Sequence, residues 1–116
     1  MAISAMPRLL RRAAFLGGLV AFPALAGQSA DVVVLDYKFQ PAHVRIRPGD
    51  QVRWINQEKR TSHSILFTVD SPAFGGTESP RLFPGETWDL TFDLPGRYEY
   101  RCGPHNEMLG TVEVLE

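Results

Sequence analysis

The chain has 116 residues, of which 12 are Lys or Arg and 13 are Asp or Glu, so its formal net charge is −1. This length accommodates one domain, and a hydrophobic content of 44% argues against a disordered chain. The charge balance leaves no basic excess to support nucleic-acid binding, and the single cysteine excludes a disulfide within the chain.

The first 26 residues have the pattern of a secretory signal peptide. Three arginines precede the uncharged stretch 13–26, which ends in the small-x-small motif Ala24-Leu25-Ala26. The stretch is 14 residues long and contains two glycines and a proline, whereas a membrane-spanning helix needs about 20 residues. We therefore predict a cleaved leader at residues 1–26 and a domain at 27–116 that is exported to the periplasm and has no membrane span. An uncleaved membrane anchor is the alternative.

The predicted exported domain has nine basic and 13 acidic residues, a formal charge of −4. It retains one cysteine, Cys102, one methionine, Met108, and all three histidines. Because oxidising compartments favour disulfides, an unpaired exported cysteine needs a role. Ligation of a metal ion is a role that would explain a free thiol in this compartment.

Apolar and polar residues alternate with a period of two along most of this domain, which predicts β-strands. The residues predicted to face inward are, in chain order, Val44, Ile46, Val52, Trp54, Ile65, Phe67, Val69, Trp88, Leu90, Phe92, Tyr98, Tyr100, Cys102, Val112 and Val114. The apolar run Val32 to Leu35 is predicted to be a strand that is buried on both faces or bulged. Short strands separated by Gly and Pro turns indicate an all-β fold, an antiparallel β-sandwich.

Some polar positions carry predictions of their own. His43 alternates outward with Arg45 and Arg47, so we expect it on the solvated surface. The charged run Glu58-Lys59-Arg60 predicts an exposed loop before His63.

The residues with metal-binding chemistry are His63, Cys102, His105 and Met108. The last three are spaced i, i+3 and i+6, where a predicted strand ends in a Gly-Pro loop. A short loop can fold their side chains around one point, whereas a straight strand would direct Cys102 and His105 to opposite faces. His63 begins another strand with inward parity, so we expect it to meet the loop between the sheets.

This set of side chains selects copper. Thiolate and thioether are soft ligands, and two His with one Cys in a plane and a weak axial Met are the blue-copper arrangement. Zinc prefers a Cys, His or carboxylate as fourth ligand, and calcium and magnesium prefer oxygen. Each residue taken alone is more readily explained as an ordinary buried side chain. Together, the only Cys and Met of the domain lie three residues on either side of His105, which predicts one copper ion.

The segment Gly96 to Val112, GRYEYRCGPHNEMLGTV, resembles the C-terminal ligand loop of the plastocyanin/amicyanin cupredoxins. Its two-residue gap between His105 and Met108 is similar to the compact amicyanin loop, and the segment 44–56 is similar to the strands that precede the first ligand of the family. The resemblance implies a Greek-key sandwich of about eight strands and a type 1 copper site. His63, Cys102 and His105 would be its equatorial ligands and Met108 its axial ligand.

A site with fixed geometry and no open position for substrate predicts a one-electron carrier that cycles Cu(II)/Cu(I), and no enzyme. We also expect the protein to be a monomer. The resemblance implies that His105 presents its ring edge within an apolar patch, for which the candidates are Pro104, Leu109, Phe74, Phe83 and Pro84. It also implies redox protein partners that bind weakly through small interfaces. By analogy with amicyanins, these are a periplasmic dehydrogenase as donor and a c-type cytochrome as acceptor.

Two positions depart from the family pattern. Ser64 follows His63 where amicyanins carry Asn, and Gly103 follows Cys102 where a hydroxyl residue is common. In the family the Asn joins the two ligand-bearing loops by hydrogen bonds. These two changes leave the four ligands intact. Because Ser64 is shorter than Asn, we expect a different connection between the loops to determine the rigidity of the site and its reduction potential.

Other functions explain parts of the sequence. Periplasmic copper binding or delivery without redox cycling is one alternative, although such proteins use several Met and this domain has one. A multicopper oxidase or nitrite reductase fragment needs a further His-rich site, for which only His43 remains. A metal-free binding module is the last alternative.

Overall fold

The computed structural model describes residues 27–116. They form eight strands: β1 Ser29–Leu35, β2 Lys38–Gln40, β3 His43–Ile46, β4 Asp50–Asn56, β5 Leu66–Phe67, β6 Thr87–Phe92, β7 Gly96–Arg101 and β8 Leu109–Val114. No helix among the described residues has the length and apolarity needed to cross a membrane. The predicted signal peptide, residues 1–26, lies outside the described residues, so its boundary stays a prediction.

The strands form two four-stranded sheets, with the orders β2-β1-β4-β6 and β3-β8-β7-β5. This confirms the all-β Greek-key sandwich of about eight strands, but its sheets are mixed. Strand β1 pairs with β4 in parallel, and so does β3 with β8, while the other pairs are antiparallel. The fully antiparallel arrangement that we expected is therefore wrong for two pairs. Alternation of side chains shows which residues face the core, but it is the same for either strand direction.

The core lies between the sheets and is filled by the inward side of each strand. The buried residues that confirm the predicted alternation are Val44, Ile46, Val52, Trp54, Ile65, Phe67, Phe92, Tyr98, Tyr100, Cys102, Val112 and Val114, with Trp88 and Leu90 partly buried against them. Trp54 is fully buried, and its ring centroid lies 5.5 Å from that of Trp88 and 5.5 Å from that of Tyr100. Aromatic packing thus accounts for both tryptophans, as the sequence predicted.

Two strand predictions are wrong in detail. Val69 is 86% exposed rather than inward, because β5 ends at Phe67 and the chain turns, with Ser71 donating to the Thr68 carbonyl at 3.2 Å. Strand β1 is neither bulged nor fully buried on both faces: its register with β4 is unbroken from Ser29 to Val34. One face of β1 is buried and the other is only half-buried.

Candidate metal centre

Two separate loops place the candidate ligands at one end of the sandwich. His63 lies in the loop after β4 and forms an isolated bridge with Leu82, with N–O distances of 3.0 and 2.8 Å. Cys102 directly follows β7, and His105 and Met108 lie in the loop before β8. This loop is closed by two backbone bonds, from Cys102 N to Met108 O and from Met108 N to His105 O, each 3.0 Å long. The Gly-Pro loop therefore turns as the spacing predicted.

Three donor atoms converge on one point. The Nδ1 atoms of His63 and His105 are 3.2 Å apart, and the Sγ atom of Cys102 is 3.5 and 3.4 Å from them. A point equidistant from these three atoms lies about 2 Å from each, close to the length of a metal–nitrogen bond in proteins. The trigonal His₂Cys set is the donor set of a blue-copper site, so the residues present fit a copper ion.

The burial of the cluster differs between its members. His63 and Cys102 are fully buried and Met108 is 1% exposed, whereas His105 is half-buried and reaches the surface. The structure thus brings three of the four predicted residues together through their donor atoms and buries the fourth in the same loop. His43 lies apart, exposed on β3 with its Nε2 atom 3.4 Å from Glu113, as expected of a surface residue.

Glu58 is a member of the site that the sequence reasoning missed. Its Oε2 atom lies 2.8 Å from His63 Nε2 and accepts a 2.9 Å hydrogen bond from the backbone N–H of Tyr37. Burial raises the pKa of this carboxyl, but the bonds from Tyr37 and His63 outweigh it, and the pKa lies below its usual value. The prediction of an exposed loop holds for Lys59 and Arg60 and is wrong for Glu58, whose side chain is 10% exposed.

Buried Asn56 gives this loop its shape. Its side-chain nitrogen donates to the carbonyls of Thr61 and Leu82 at 2.9 and 2.8 Å, and its Oδ1 atom accepts the N–H of Glu58 at 2.9 Å. All hydrogen-bonding groups of this buried amide are engaged across two loops. Asn56 therefore fixes the backbone from which both Glu58 and His63 project.

Tyr37 covers both histidine rings and was also not predicted. It lies in the two-residue turn between β1 and β2, where Asp36 and Tyr37 have φ values of 56° and 57°. Its ring meets those of His63 and His105 edge-on, with centroids 5.3 and 4.9 Å away. Positive φ is rare for an aromatic residue and is found where the surrounding structure enforces it. The only signal in the sequence was an Asp-Tyr pair directly after the apolar run Val32 to Leu35.

Arg101, which lies between the buried residues Tyr100 and Cys102, holds the ligand loop. Its Nη1 atom donates to the carbonyls of Cys102 and Gly103, both at 2.9 Å, and to Oδ1 of Asn106 at 2.6 Å. One half-buried guanidinium group thus joins the beginning of the loop to the residue after His105.

Most of the predicted apolar patch is exposed. Leu109 and Phe83 are 62% and 56% exposed, and Pro104 and Pro84 are also exposed. Phe74 is not part of the patch, because its ring packs against core aromatic residues, 5.7 Å from the centroid of Phe92 and 6.0 Å from that of Tyr98. The sequence alone could not separate an exposed phenylalanine from one that a turn folds back onto the core.

Known proteins are similar to this chain in sequence and in fold. Residues 27–115 match the family described as copper binding proteins, plastocyanin/azurin family. The chain is 33% identical to amicyanin-alpha of Methylorubrum extorquens over 90% of its length and 99% of the relative's. It is 31% identical to amicyanin of Paracoccus denitrificans over 79% of its length and 72% of the relative's. A solved reduced Cu(I) form of an amicyanin variant superposes with a TM-score of 0.70 at 28% identity, covering 74% of this chain and 81% of that one.

Proposed function

Because the chain belongs to the plastocyanin/azurin family of copper-binding proteins, we propose that it is an exported one-electron carrier with one copper ion in a type 1 site. The observation that supports this most directly is the triangle formed by His63 Nδ1, Cys102 Sγ and His105 Nδ1. These three atoms would hold the copper ion, together with the thioether of Met108, which is buried in the same loop. When bound, copper supplies the one-electron oxidation and reduction.

The protein contributes a rigid and water-poor site. His63 is oriented through its Nε2 atom by Glu58, and the loop that bears His105 is closed by backbone bonds between Cys102 and Met108. With the donor atoms already converged, neither oxidation state requires large movements of the chain. Outer hydrogen bonds of this kind orient metal ligands and tune the metal.

Electron exchange is proposed to occur through His105. It is the half-buried member of the set, and exposed Leu109 and Pro104 flank it on the loop. Small, weak interfaces are typical of redox encounters. By analogy, the partners are a periplasmic dehydrogenase as electron donor and a c-type cytochrome as acceptor, with this protein acting as a monomer and not as an enzyme.

Copper delivery without redox cycling is the other candidate, and burial argues against it. Complete burial of His63 and Cys102 leaves His105 as the accessible member of the triangle. A delivery protein needs ligands that a partner can replace one after another. Slow transfer of copper to a chelator is therefore the expected behaviour, and transfer within seconds would favour delivery.

Export is proposed from residues 1–26, which have the signal-peptide pattern. N-terminal sequencing of the protein from a periplasmic fraction is expected to begin at Gly27. A chain that begins at Met1 and remains with the membranes would indicate the uncleaved anchor instead.

The test of function is a titration of residues 27–116 with Cu(II), followed by visible and EPR spectroscopy. We expect an intense thiolate-to-copper band and narrow copper hyperfine splitting at one equivalent, followed by reversible bleaching on reduction. Cys102→Ser should abolish the band, whereas His43→Ala, which removes a histidine outside the cluster, should retain it. A colourless protein, or a tetragonal Cu(II) spectrum indifferent to Cys102→Ser, would contradict the proposal.

A further inference from the structure

Ser64 connects the loop of His63 to the loop of Cys102, and it does so together with a carboxylate. The Ser64 hydroxyl accepts the backbone N–H of Gly103 at 3.0 Å and donates to Oε2 of Glu78 at 2.6 Å. The backbone N–H of Ser64 also points at the Cys102 sulfur, 3.4 Å away. We propose that Glu78 is a positioning residue of the copper site, which orients Ser64 to join the ligand loops and places a negative charge beside Gly103, the residue that follows Cys102.

Gly103 supports this assignment because its backbone does not require glycine. The positive-φ glycines among residues 27–116 are Gly49, Gly76, Gly85 and Gly96. A Cβ atom on Gly103 would instead overlap the Oε2 atom of Glu78 and lie 2.7 Å from Ser64 Oγ. The space beside this Cα is occupied by the carboxylate, so Gly103 and Glu78 fit each other.

The backbone around Glu78 is itself fixed to the strand that follows His63. Glu78 forms an isolated bridge with Leu66. Its neighbour Ser79 donates its N–H to the Ile65 carbonyl at 2.8 Å and accepts the Ile65 N–H through its hydroxyl at 2.9 Å. The carboxylate therefore projects from an anchored segment, although the side chain itself is exposed.

Two consequences follow for the protein. The hydroxyl of Ser64 has one proton and two lone pairs, so it can accept the N–H of Gly103 while it donates to Glu78, and the carboxylate thereby fixes the orientation of the hydroxyl. A fixed negative charge beside Gly103, the residue after Cys102, also favours Cu(II) over Cu(I), because it interacts more favourably with the higher positive charge. The first consequence concerns the polypeptide alone, and the second rests on the proposed function.

The first test is a double-mutant cycle on the metal-free protein, residues 27–116, unfolded with urea. Glu78→Ala removes the acceptor, and Gly103→Ala displaces the same carboxylate, so each should raise the unfolding constant about tenfold. Because both changes break one link, the double variant should lose little more than either single variant. Multiplied effects, about a hundredfold in the double variant, would overturn the link.

The second test isolates the charge on copper-loaded protein. Glu78→Gln keeps an oxygen that can accept from Ser64 but removes the charge, so the reduction potential should rise while the EPR spectrum is retained. Glu107→Gln is the matched control, since it removes an exposed charge from the ligand loop without touching Ser64. The reduction potential of the Glu107→Gln variant should rise less than that of Glu78→Gln. Equal shifts in the two variants, or none with Glu78→Gln, would overturn the charge effect.

The two tests separate the inference from the proposed function. If the unsubstituted protein shows no copper–thiolate band, the proposed function fails, and the cycle on metal-free protein still decides the link. If the band is present and the cycle is additive, copper binding stands and Glu78 is an ordinary surface carboxylate.

Discussion

The Nε2 atom of His63 lies 2.8 Å from Oε2 of Glu58, a residue five positions earlier in the chain. The same oxygen accepts the N–H of Tyr37, so one carboxylate joins the β1–β2 turn to the loop of the first histidine. With Nε2 held by Glu58, the Nδ1 atom is left to face Cys102 and His105. Carboxylate–histidine–metal arrangements fix the ring tautomer and raise ligand basicity.

Glu58→Gln is expected to weaken copper binding by about 10- to 100-fold. Glutamine keeps one oxygen that can accept from both His63 and Tyr37, as Oε2 does, but it loses the negative charge that strengthens both bonds. Competition with a chromophoric Cu(I) chelator measures the change. Glu107→Gln, which alters an exposed carboxylate on the other ligand loop, serves as the control. Equal affinities for the two variants would mean that Glu58 does not orient His63.

Local spacing predicted the parts of the site that are local in sequence. Cys102, His105 and Met108 lie within one short loop, so their order alone indicated that they meet, and inward parity added His63. Glu58 was missed because a charge run is typical of an exposed loop. Its burial depends on Tyr37, which is 21 residues away and comes from another turn.

The fold shows the same division between local and distant information. Alternation identified the buried side of nearly every strand, including both tryptophans. Strand direction and strand partners depend on how the chain crosses between the sheets. An alternation with a period of two carries no information about these connections, so the parallel pairs were not predicted. Phe74 packs onto the core and has a φ of 64°. A phenylalanine rarely adopts this conformation, so its residue type did not predict it.

Tyr37→Asn is expected to expose the histidine pair to water without straining the turn. The substitution removes the ring that lies 5.3 Å from His63 and 4.9 Å from His105. The backbone of the turn should be kept, because asparagine tolerates positive φ better than other non-glycine residues. The Nε2 proton of His63 should exchange faster with solvent in the Cu(I) protein, as measured by NMR. Tyr37→Phe keeps the ring and loses only the 3.2 Å contact with Thr61, and it should exchange slowly, like the unsubstituted protein.

Arg101→Ala is expected to loosen the loop that bears His105. The three bonds from Nη1 of Arg101 are lost, which should reduce the free energy of unfolding by about 1–2 kcal/mol. It should also speed the loss of copper to a chelator, because His105 is then held less firmly. Arg97→Ala removes an arginine from the same strand, where it pairs with exposed Glu99, and it should change neither quantity measurably. Similar effects of the two substitutions would assign the loss to net charge.

Asp50, the first residue of β4, makes the free energy of unfolding depend on pH. Its carboxylate accepts the backbone N–H groups of Gln28 and Arg47 at 2.8 and 2.9 Å. These bonds hold its pKa below the 3.8 of the unfolded chain. Since the folded pKa is the lower one, the stabilisation is complete above 3.8 and is lost as the pH falls through the folded pKa.

Asp50→Asn should therefore destabilise the protein at pH 7 and much less in acid. The amide keeps one acceptor oxygen for the two N–H donors, so we expect a loss of about 0.5–1.5 kcal/mol at neutral pH. Urea unfolding of the metal-free protein at several pH values down to the unfolding limit measures the difference. Asp93→Asn, at an exposed position after β6, is the control and should show no such convergence. A difference between Asp50→Asn and the unsubstituted protein that stays constant with pH would show that the loss comes from packing, because charge-dependent hydrogen bonds must weaken once the carboxylate is protonated.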